Sequence, residues 1–177
     1  KTDKPTIVDL FCGAGGLSLG FVQEGFKVAL ANDNQKVCTD TYFLNHPEIP
    51  RDNVIHDDIE NITGNFSEIL EFNEIDVVVG GPPCQGFSNA NRQRLIDDPR
   101  NKLYKYFVEA VDEIDPDYFV MENVRGMEKV ADQVIEDFNN IGYDVKYDIF
   151  NAKNFSVPQN RERIIFFGSK TEISAQE

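Results

Sequence analysis

The sequence predicts an α/β protein built on a doubly wound, mostly parallel sheet. Short apolar runs alternate with longer amphipathic segments along its 177 residues, a pattern typical of βαβ units. Several of these apolar runs end in glycine, proline or an acid, where ligands bind in open sheets of this kind. The length suits one domain with a real hydrophobic core, so we expect residues 1–177 to form a single domain.

The predicted elements alternate along most of the chain. Strands are expected at residues 6–11, 26–31, 53–55, 75–79, 118–121, 145–150 and 163–167. Helices are expected at residues 17–24, 35–44, 66–72, 102–114 and 126–141. Gly25 and Pro47 mark the ends of the first two helices, and Pro82 and Pro83 prevent the strand at 75–79 from continuing. The polar segment 85–99 is expected to be a long loop, and such loops are usually functional.

The composition limits the possible classes of protein. No apolar run approaches the length of a membrane span, and three cysteines without paired spacing indicate neither a disulfide framework nor a metal site. The cytoplasm is therefore the expected compartment. A net charge of −14 opposes binding to a polyanion, although residues 92–105 hold five basic side chains against two acidic ones. By itself that stretch is better explained as a solvated charged loop.

Residues 9–21, DLFCGAGGLSLGF, join a buried strand to a helix through a glycine turn. Such a turn lets a ligand approach backbone N–H groups at the start of a helix. Gly13 and Gly15 fit the dinucleotide fingerprint, but Ser18 stands where its third glycine belongs. Asp33 follows Gly13 by twenty residues, where an acid can bind ribose hydroxyls. The pattern indicates an adenosine-containing cofactor; the alternative is a turn that only connects strand and helix.

Three further blocks place reactive side chains beyond strand ends. Cys84 in GGPPCQGFSNAN follows a buried strand and is a candidate nucleophile, since positive neighbours or a helix N-terminus can lower a thiol pKa. Glu122 follows the strand at 118–121, and parallel strands would bring it to the same edge as Cys84. Arg161 and Arg163 are two residues apart, so an extended segment points both to one side. The alternative for Cys84 is a buried apolar side chain, which is the interpretation we prefer for Cys38. The alternative for Glu122, Arg161 and Arg163 is that their charges are simply solvated.

In this order the four blocks resemble the DNA cytosine-5 methyltransferase family over residues 9–168. The resemblance implies a Rossmann-like methyltransferase fold, S-adenosyl-L-methionine as cofactor, duplex DNA as partner and no metal. It implies that Cys84 attacks carbon 6 of a flipped cytosine, that Glu122 and Arg163 bind the base, and that Arg161 belongs to the catalytic set. The implied cofactor-binding residues are Phe11, Cys12, Gly13, Ala14, Gly15, Gly16, Leu17, Asp33, Asp58, Ile59, Pro83 and Leu103.

The resemblance also implies parts that these residues do not supply. Members of the family continue with a target-recognition region and a final block that completes the cofactor pocket. We therefore expect a piece of a longer protein, the larger subunit of a split enzyme, or a gene fragment, and an isolated chain that is inactive. Ser88 and nearby arginines are expected to contact phosphates from a lid at residues 85–99. Two other functions remain open, a transfer-RNA cytosine methyltransferase and a non-catalytic cofactor-binding module.

Overall fold

A computed structural model describes residues 4–71, 73–84 and 97–172 of the chain. Seven strands form one sheet in the order β3-β2-β1-β4-β5-β7-β6. The strands are β1 (Thr6–Leu10), β2 (Lys27–Asp33), β3 (Val54–His56), β4 (Val77–Gly80), β5 (Tyr118–Val124), β6 (Asp144–Asn151) and β7 (Glu162–Ser169). The first five pair in parallel, whereas β7 runs antiparallel to both β5 and β6. The predicted α/β class with a mostly parallel sheet is confirmed.

Helices cover both faces of the sheet and bury its apolar side chains. They are α1 (Gly16–Gln23), α2 (Lys36–Asn45), α3 (Ile59–Ile62), α4 (Phe66–Ile69), α5 (Lys102–Ile114) and α6 (Ala131–Asn139). The side chains of α1 and α2 pack with one core, and those of α3 to α6 pack with the larger one. Strand β4 is a continuous apolar run, and β1 is an apolar run interrupted by the buried Asp9, because both faces of these strands are covered.

The strand order reverses between β1 and β4, and this reversal positions the candidate site. From β1 the chain winds outward through β2 to β3, and from β4 it winds the other way through β5. The connections after β1 and β4 therefore diverge at the carboxyl edge and leave a crevice between them. The glycine turn and the segment from Gly81 to Cys84 both follow strands that border this crevice.

Several predicted elements differ from those observed. Strand β5 runs on to Val124 because β7 pairs with it along its whole length, so Glu122 lies inside a strand. The predicted helix at 126–141 is a 3-10 segment, Arg125–Val130, followed by α6. The short helix α3 was not predicted, and α4 ends at Ile69. Among the residues that the structure describes, no helix is long and apolar enough to span a bilayer.

Candidate active site

The glycine turn after β1 is built from left-handed backbone. Phe11, Gly13 and Gly15 have φ angles of 58°, 53° and 89°. A side chain at such angles is strained, so the two glycines are the ordinary choice and Phe11 is the exception. The turn is closed by a hydrogen bond of 2.9 Å from Gly15 N–H to the carbonyl of Cys12. This tight path brings Phe11 to the mouth of the crevice.

Beside the turn lies a cleft of about 270 Å³ at the carboxyl ends of β1, β2 and β4. Half of the predicted cofactor-binding residues line it: Phe11, Asp33, Asp58, Ile59, Pro83 and Leu103. The other half, Cys12, Gly13, Ala14, Gly15, Gly16 and Leu17, lie outside its lining. Cys12 is buried in the core behind the turn. Cys38 is only partly buried and lines the cleft, so its interpretation as a buried apolar side chain is wrong.

Two carboxylates of this cleft also hold its walls in place. Asp33 accepts one hydrogen bond from Gly13 N–H at 3.0 Å and another from Gln35 N–H at 2.9 Å. Asp58 caps α3 by accepting from Glu60 N–H at 3.1 Å. Because a carboxylate has more acceptor positions than these contacts use, both side chains can still accept from a ligand.

A second cleft of about 270 Å³ contains all four predicted catalytic residues: Cys84, Glu122, Arg161 and Arg163. It shares Gly81 and Pro83 with the first cleft, so the two are separated by a single stretch of backbone. The Arg163 guanidinium pairs with the Glu122 carboxylate, with Nε and Oε1 2.7 Å apart. The pair is about one-quarter to one-third exposed, so it stays accessible to a substrate.

The antiparallel direction of β7 is what joins these charges. Because β7 begins where β5 ends, Arg163 is the partner of Val124 and Ile165 is the partner of Glu122. Arg161 lies just before β7, where its N–H donates to the Asn151 side chain at 3.2 Å. Residues about forty apart in sequence thus meet at the edge where β4 and β5 end.

The surroundings of Cys84 favour its neutral thiol over the thiolate. Burial, and then the negative charge of Asp98, raise the pKa of its thiol to about 12. The thiol donates to Asn101 Oδ1, with 3.2 Å between sulfur and oxygen. The predicted lowering of this pKa is therefore wrong for the environment that the described residues provide. A reaction at this sulfur requires the proton to be removed as the substrate is engaged.

Two asparagines of the site were not predicted as functional. Asn101, fully buried at the start of α5, accepts from the Cys84 thiol. Asn123, also buried, donates to the Pro82 carbonyl at 2.8 Å and so anchors the shared stretch between the clefts. An amide directly after Glu122, in the ENVRG block, was the available signal for Asn123. Ser88 and the rest of the expected lid at residues 85–96 lie outside the described residues.

A buried polar network lies beneath the glycine turn. Tyr42 of α2 donates to Ser18 of α1 at 2.7 Å, and Ser18 donates to the Asp9 carboxyl of β1 at 2.5 Å. All three side chains are almost completely buried, and burial raises the pKa of Asp9 to about 7. His46, at the end of α2, is equally buried and bonds to the Gly15 carbonyl through Nε2 at 2.9 Å. The turn therefore rests on polar side chains from three elements.

Known proteins resemble this chain over nearly its whole length. The family model for C-5 cytosine-specific DNA methylase matches residues 5–176. The Type II methyltransferase M1.HphI of Haemophilus parahaemolyticus is 42% identical over 93% of this chain and 46% of its own length. The Type II methyltransferase M.AquIA of Picosynechococcus sp. is 39% identical over 93% of this chain and 71% of its own length. The chain thus spans about half the length of most of the relatives it matches.

Solved structures give the same result. A prophage-encoded protein of E. coli, described as a DNA modification methyltransferase, superposes with a TM-score of 0.75 at 34% identity. The match covers 97% of this chain and 49% of that one. The Dnmt2 methyltransferase of S. pombe has the same fold, with a TM-score of 0.75 at 22% identity over 98% of this chain and 52% of its own. With the sequence match over residues 5–176, these likenesses show that the chain belongs to the C-5 cytosine-specific DNA methylase family.

Proposed function

We propose that residues 1–177 form the catalytic domain of a DNA (cytosine-5) methyltransferase that uses S-adenosyl-L-methionine. The observation that carries the proposal is the pair of clefts that share Gly81 and Pro83. A group-transfer enzyme must hold donor and acceptor next to each other in a defined orientation. One cleft suits the cofactor, the other holds the reactive side chains, and only this backbone stretch lies between them.

The chemistry of the first cleft fits an adenosine-containing sulfonium compound. Asp33 is suited to the ribose hydroxyls and Asp58 to the adenine amine, because a carboxylate can accept from both kinds of donor. Phe11, Ile59 and Leu103 supply apolar walls for the adenine ring. When bound, S-adenosyl-L-methionine supplies an electrophilic methyl group. The two acids also suit the positive charge that this cofactor carries.

The second cleft suits covalent activation of a cytosine. Carbon 5 of the ring is a weak nucleophile, and attack of the Cys84 thiolate on carbon 6 makes it electron-rich. Glu122 binds the N3 and amino edge with one proton held between its carboxyl group and N3, which neutralises the negative charge that develops on the ring. Arg163 binds the ring carbonyl while pairing with Glu122. After carbon 5 has been methylated, loss of its proton restores the 5,6 double bond and expels the Cys84 thiolate. Arg161, on the rim, is positioned for a phosphate.

The substrate has to leave the duplex for this chemistry. The ring atoms of a stacked cytosine are inaccessible to a side chain in a cleft, so we propose that the base is flipped out. Net charge −14 gives the chain little affinity for phosphates. Several of its basic side chains near the site are also paired with acids: Arg100 with Asp98, Lys102 with Glu60, Lys105 with Glu109 and Arg125 with Glu162.

We therefore propose that further chain, in the same protein or in a second subunit, holds the DNA and reads its sequence. The greater length of most relatives supports this division of labour. Sequence is read at base edges in the grooves by an element that enters them. Among the described residues, the strands form the sheet and the helices pack against it, so none is left for this role. The isolated chain is then expected to bind cofactor weakly and to lack site-specific activity.

Covalent trapping tests the proposal. The protein, alone and with the additional chain of a full-length relative, is mixed with S-adenosyl-L-methionine and a duplex that contains 5-fluorocytosine. Fluorine cannot leave as the proton does, so the adduct persists, and peptide mass spectrometry then identifies the modified cysteine. Matched duplexes with ordinary cytosine, and an RNA of the same sequence that contains 5-fluorocytosine, serve as controls.

Each outcome of the trapping experiment is decisive. An adduct at Cys84 that requires both fluorinated DNA and cofactor supports the proposal. An adduct formed only with RNA would replace DNA by RNA as the substrate. No adduct with either polymer when the additional chain is present would contradict the assignment of Cys84 and favour a module that only binds cofactor. Site-specific methylation by the 177 residues alone would contradict the division of labour.

A further inference from the structure

The end of α2 contacts the glycine turn at two successive carbonyl groups. Asn45 Nδ2 donates to the Ala14 carbonyl at 2.7 Å, and His46 Nε2 donates to the Gly15 carbonyl at 2.9 Å. Neither Asn45 nor His46 lines the cofactor cleft or the catalytic cleft. Their contacts are therefore with the backbone of the glycine turn, next to Phe11, which lines the proposed cofactor cleft.

Because a peptide group is planar, a contact that fixes a carbonyl also fixes the direction of the N–H group that follows it. In a trans peptide the carbonyl and the following N–H point in opposite directions. Because His46 holds the Gly15 carbonyl towards α2, the N–H of Gly16 is directed away from α2 at the exposed start of α1. Such an N–H group at the beginning of a helix is suited to an anionic group of a ligand. The only anionic group of S-adenosyl-L-methionine is its carboxylate.

The arrangement beneath Gly15 is closely packed as well as hydrogen-bonded. A Cβ atom on Gly15 would lie 2.4 Å from His46 Nε2 and 3.0 Å from the Tyr42 ring. The rings of Tyr42 and His46 are themselves in contact, with centroids 4.6 Å apart. Tyr42 is tied through Ser18 to Asp9, so the end of α2 is fixed against both α1 and β1. A displacement of the turn relative to α2 would therefore break these contacts.

We propose that Asn45 and His46 are positioning residues for the cofactor: they hold the turn at residues 13–16 so that the Gly16 N–H faces the cofactor carboxylate. The proposal rests on the assignment of S-adenosyl-L-methionine under the proposed function. Asn45 is the better residue to perturb, because it is exposed and its replacement leaves the core intact. Its neighbour Leu44 is 78% exposed and offers a matched position on the same helix end.

The test compares Asn45→Asp with Leu44→Asp. Both changes add the same charge at the end of α2, but only Asn45→Asp replaces the donor to the Ala14 carbonyl by an acceptor. Hydrogen exchange of a peptide that spans residues 11–19 reports on the turn without any cofactor. Titration calorimetry with S-adenosyl-L-methionine and NMR titration with adenosine, which has no carboxylate, report on binding. Unfolding temperatures check that both variants are folded.

We expect Asn45→Asp to speed exchange in the turn and to weaken S-adenosyl-L-methionine binding about tenfold, with adenosine binding unchanged. Leu44→Asp should change each quantity less than twofold. Unchanged exchange in Asn45→Asp would overturn the proposal, and so would an equal loss of affinity for adenosine and S-adenosyl-L-methionine. The binding measurements are made together with the additional chain of a full-length relative. If the parent protein binds neither compound under these conditions, the cofactor assignment and the positioning role fail together, while the exchange data still decide whether α2 holds the turn.

Discussion

Asp9 is expected to make the stability of the protein depend on pH in a defined direction. Its carboxyl group is 1% exposed and accepts from the Ser18 hydroxyl at 2.5 Å. Burial raises its pKa from 3.8 to about 7, although the Ser18 hydrogen bond and the nearby His46 act in the opposite direction. Between these two values the folded protein keeps the proton and the unfolded chain loses it. Stability is therefore lost as the pH rises through this window.

The size of the effect follows from the two pKa values. A difference of about three pH units corresponds to ~4 kcal/mol, of which ~2 kcal/mol falls between pH 5 and pH 7. The variant Asp9→Asn has the same shape and no titrating group at this position. Other titrating groups are common to both proteins, so they cancel when the free energy of unfolding of the variant is subtracted from that of the parent.

Urea unfolding of parent and variant at half-unit steps from pH 5 to pH 8.5 measures this difference. We expect it to fall by about 2 kcal/mol between pH 5 and pH 7 and to be level above about pH 8. Asn can replace only part of the carboxyl's hydrogen bonding, which shifts the whole curve without changing its slope. A difference that is the same at pH 5 and pH 8 would refute the reasoning, because it would mean that Asp9 is ionised in the folded protein throughout.

Three further predictions concern the site and the core. Cys84→Ser should abolish methyl transfer and covalent trapping, since the hydroxyl is a far weaker nucleophile, while cofactor affinity in calorimetry changes less than twofold. Measurable methylation would contradict the assignment of Cys84 as the nucleophile. Asp33→Ala should weaken S-adenosyl-L-methionine binding at least tenfold, because it removes both the proposed ribose acceptor and the anchor of Gly13 N–H. An unchanged calorimetric affinity would place the ribose elsewhere. Gly168→Ala should lower the free energy of unfolding by about 1–3 kcal/mol, because its Cβ would lie 1.9 Å from the Phe119 ring, which is stacked on Phe138. Unaltered urea unfolding would mean that the rings rearrange at no cost in stability.

Local sequence patterns were sufficient for the parallel part of the fold. Apolar runs that end in glycine or proline predicted β1 and β4, and the amphipathic stretch at 102–114 predicted α5 with both ends correct. These features depend on residues close together in the chain. The same patterns placed Cys84, Asp33 and Pro83 beyond strand ends, where they line the two clefts.

Features that depend on distant pairing were not predictable in this way. Glu122 was expected after its strand, but β7 extends β5 past it, and nothing local to residues 118–124 encodes that partner. The contact between Arg163 and Glu122 depends on the same antiparallel register. The raised pKa of Cys84 depends on burial and on Asp98, which only the folded chain brings near the sulfur. A sequence motif thus identifies reactive residue types but not their environment.

The backbone that separates the two clefts also bears on the order of events in catalysis. Pro82 and Pro83 restrict its dihedral angles, and Asn123 holds the Pro82 carbonyl from the neighbouring strand. A backbone segment fixed in this way does not need to move when a ligand enters either cleft. Under the proposed function, we therefore expect that this part of the protein lets base and cofactor arrive in either order, and that any compulsory order of binding originates elsewhere in the protein.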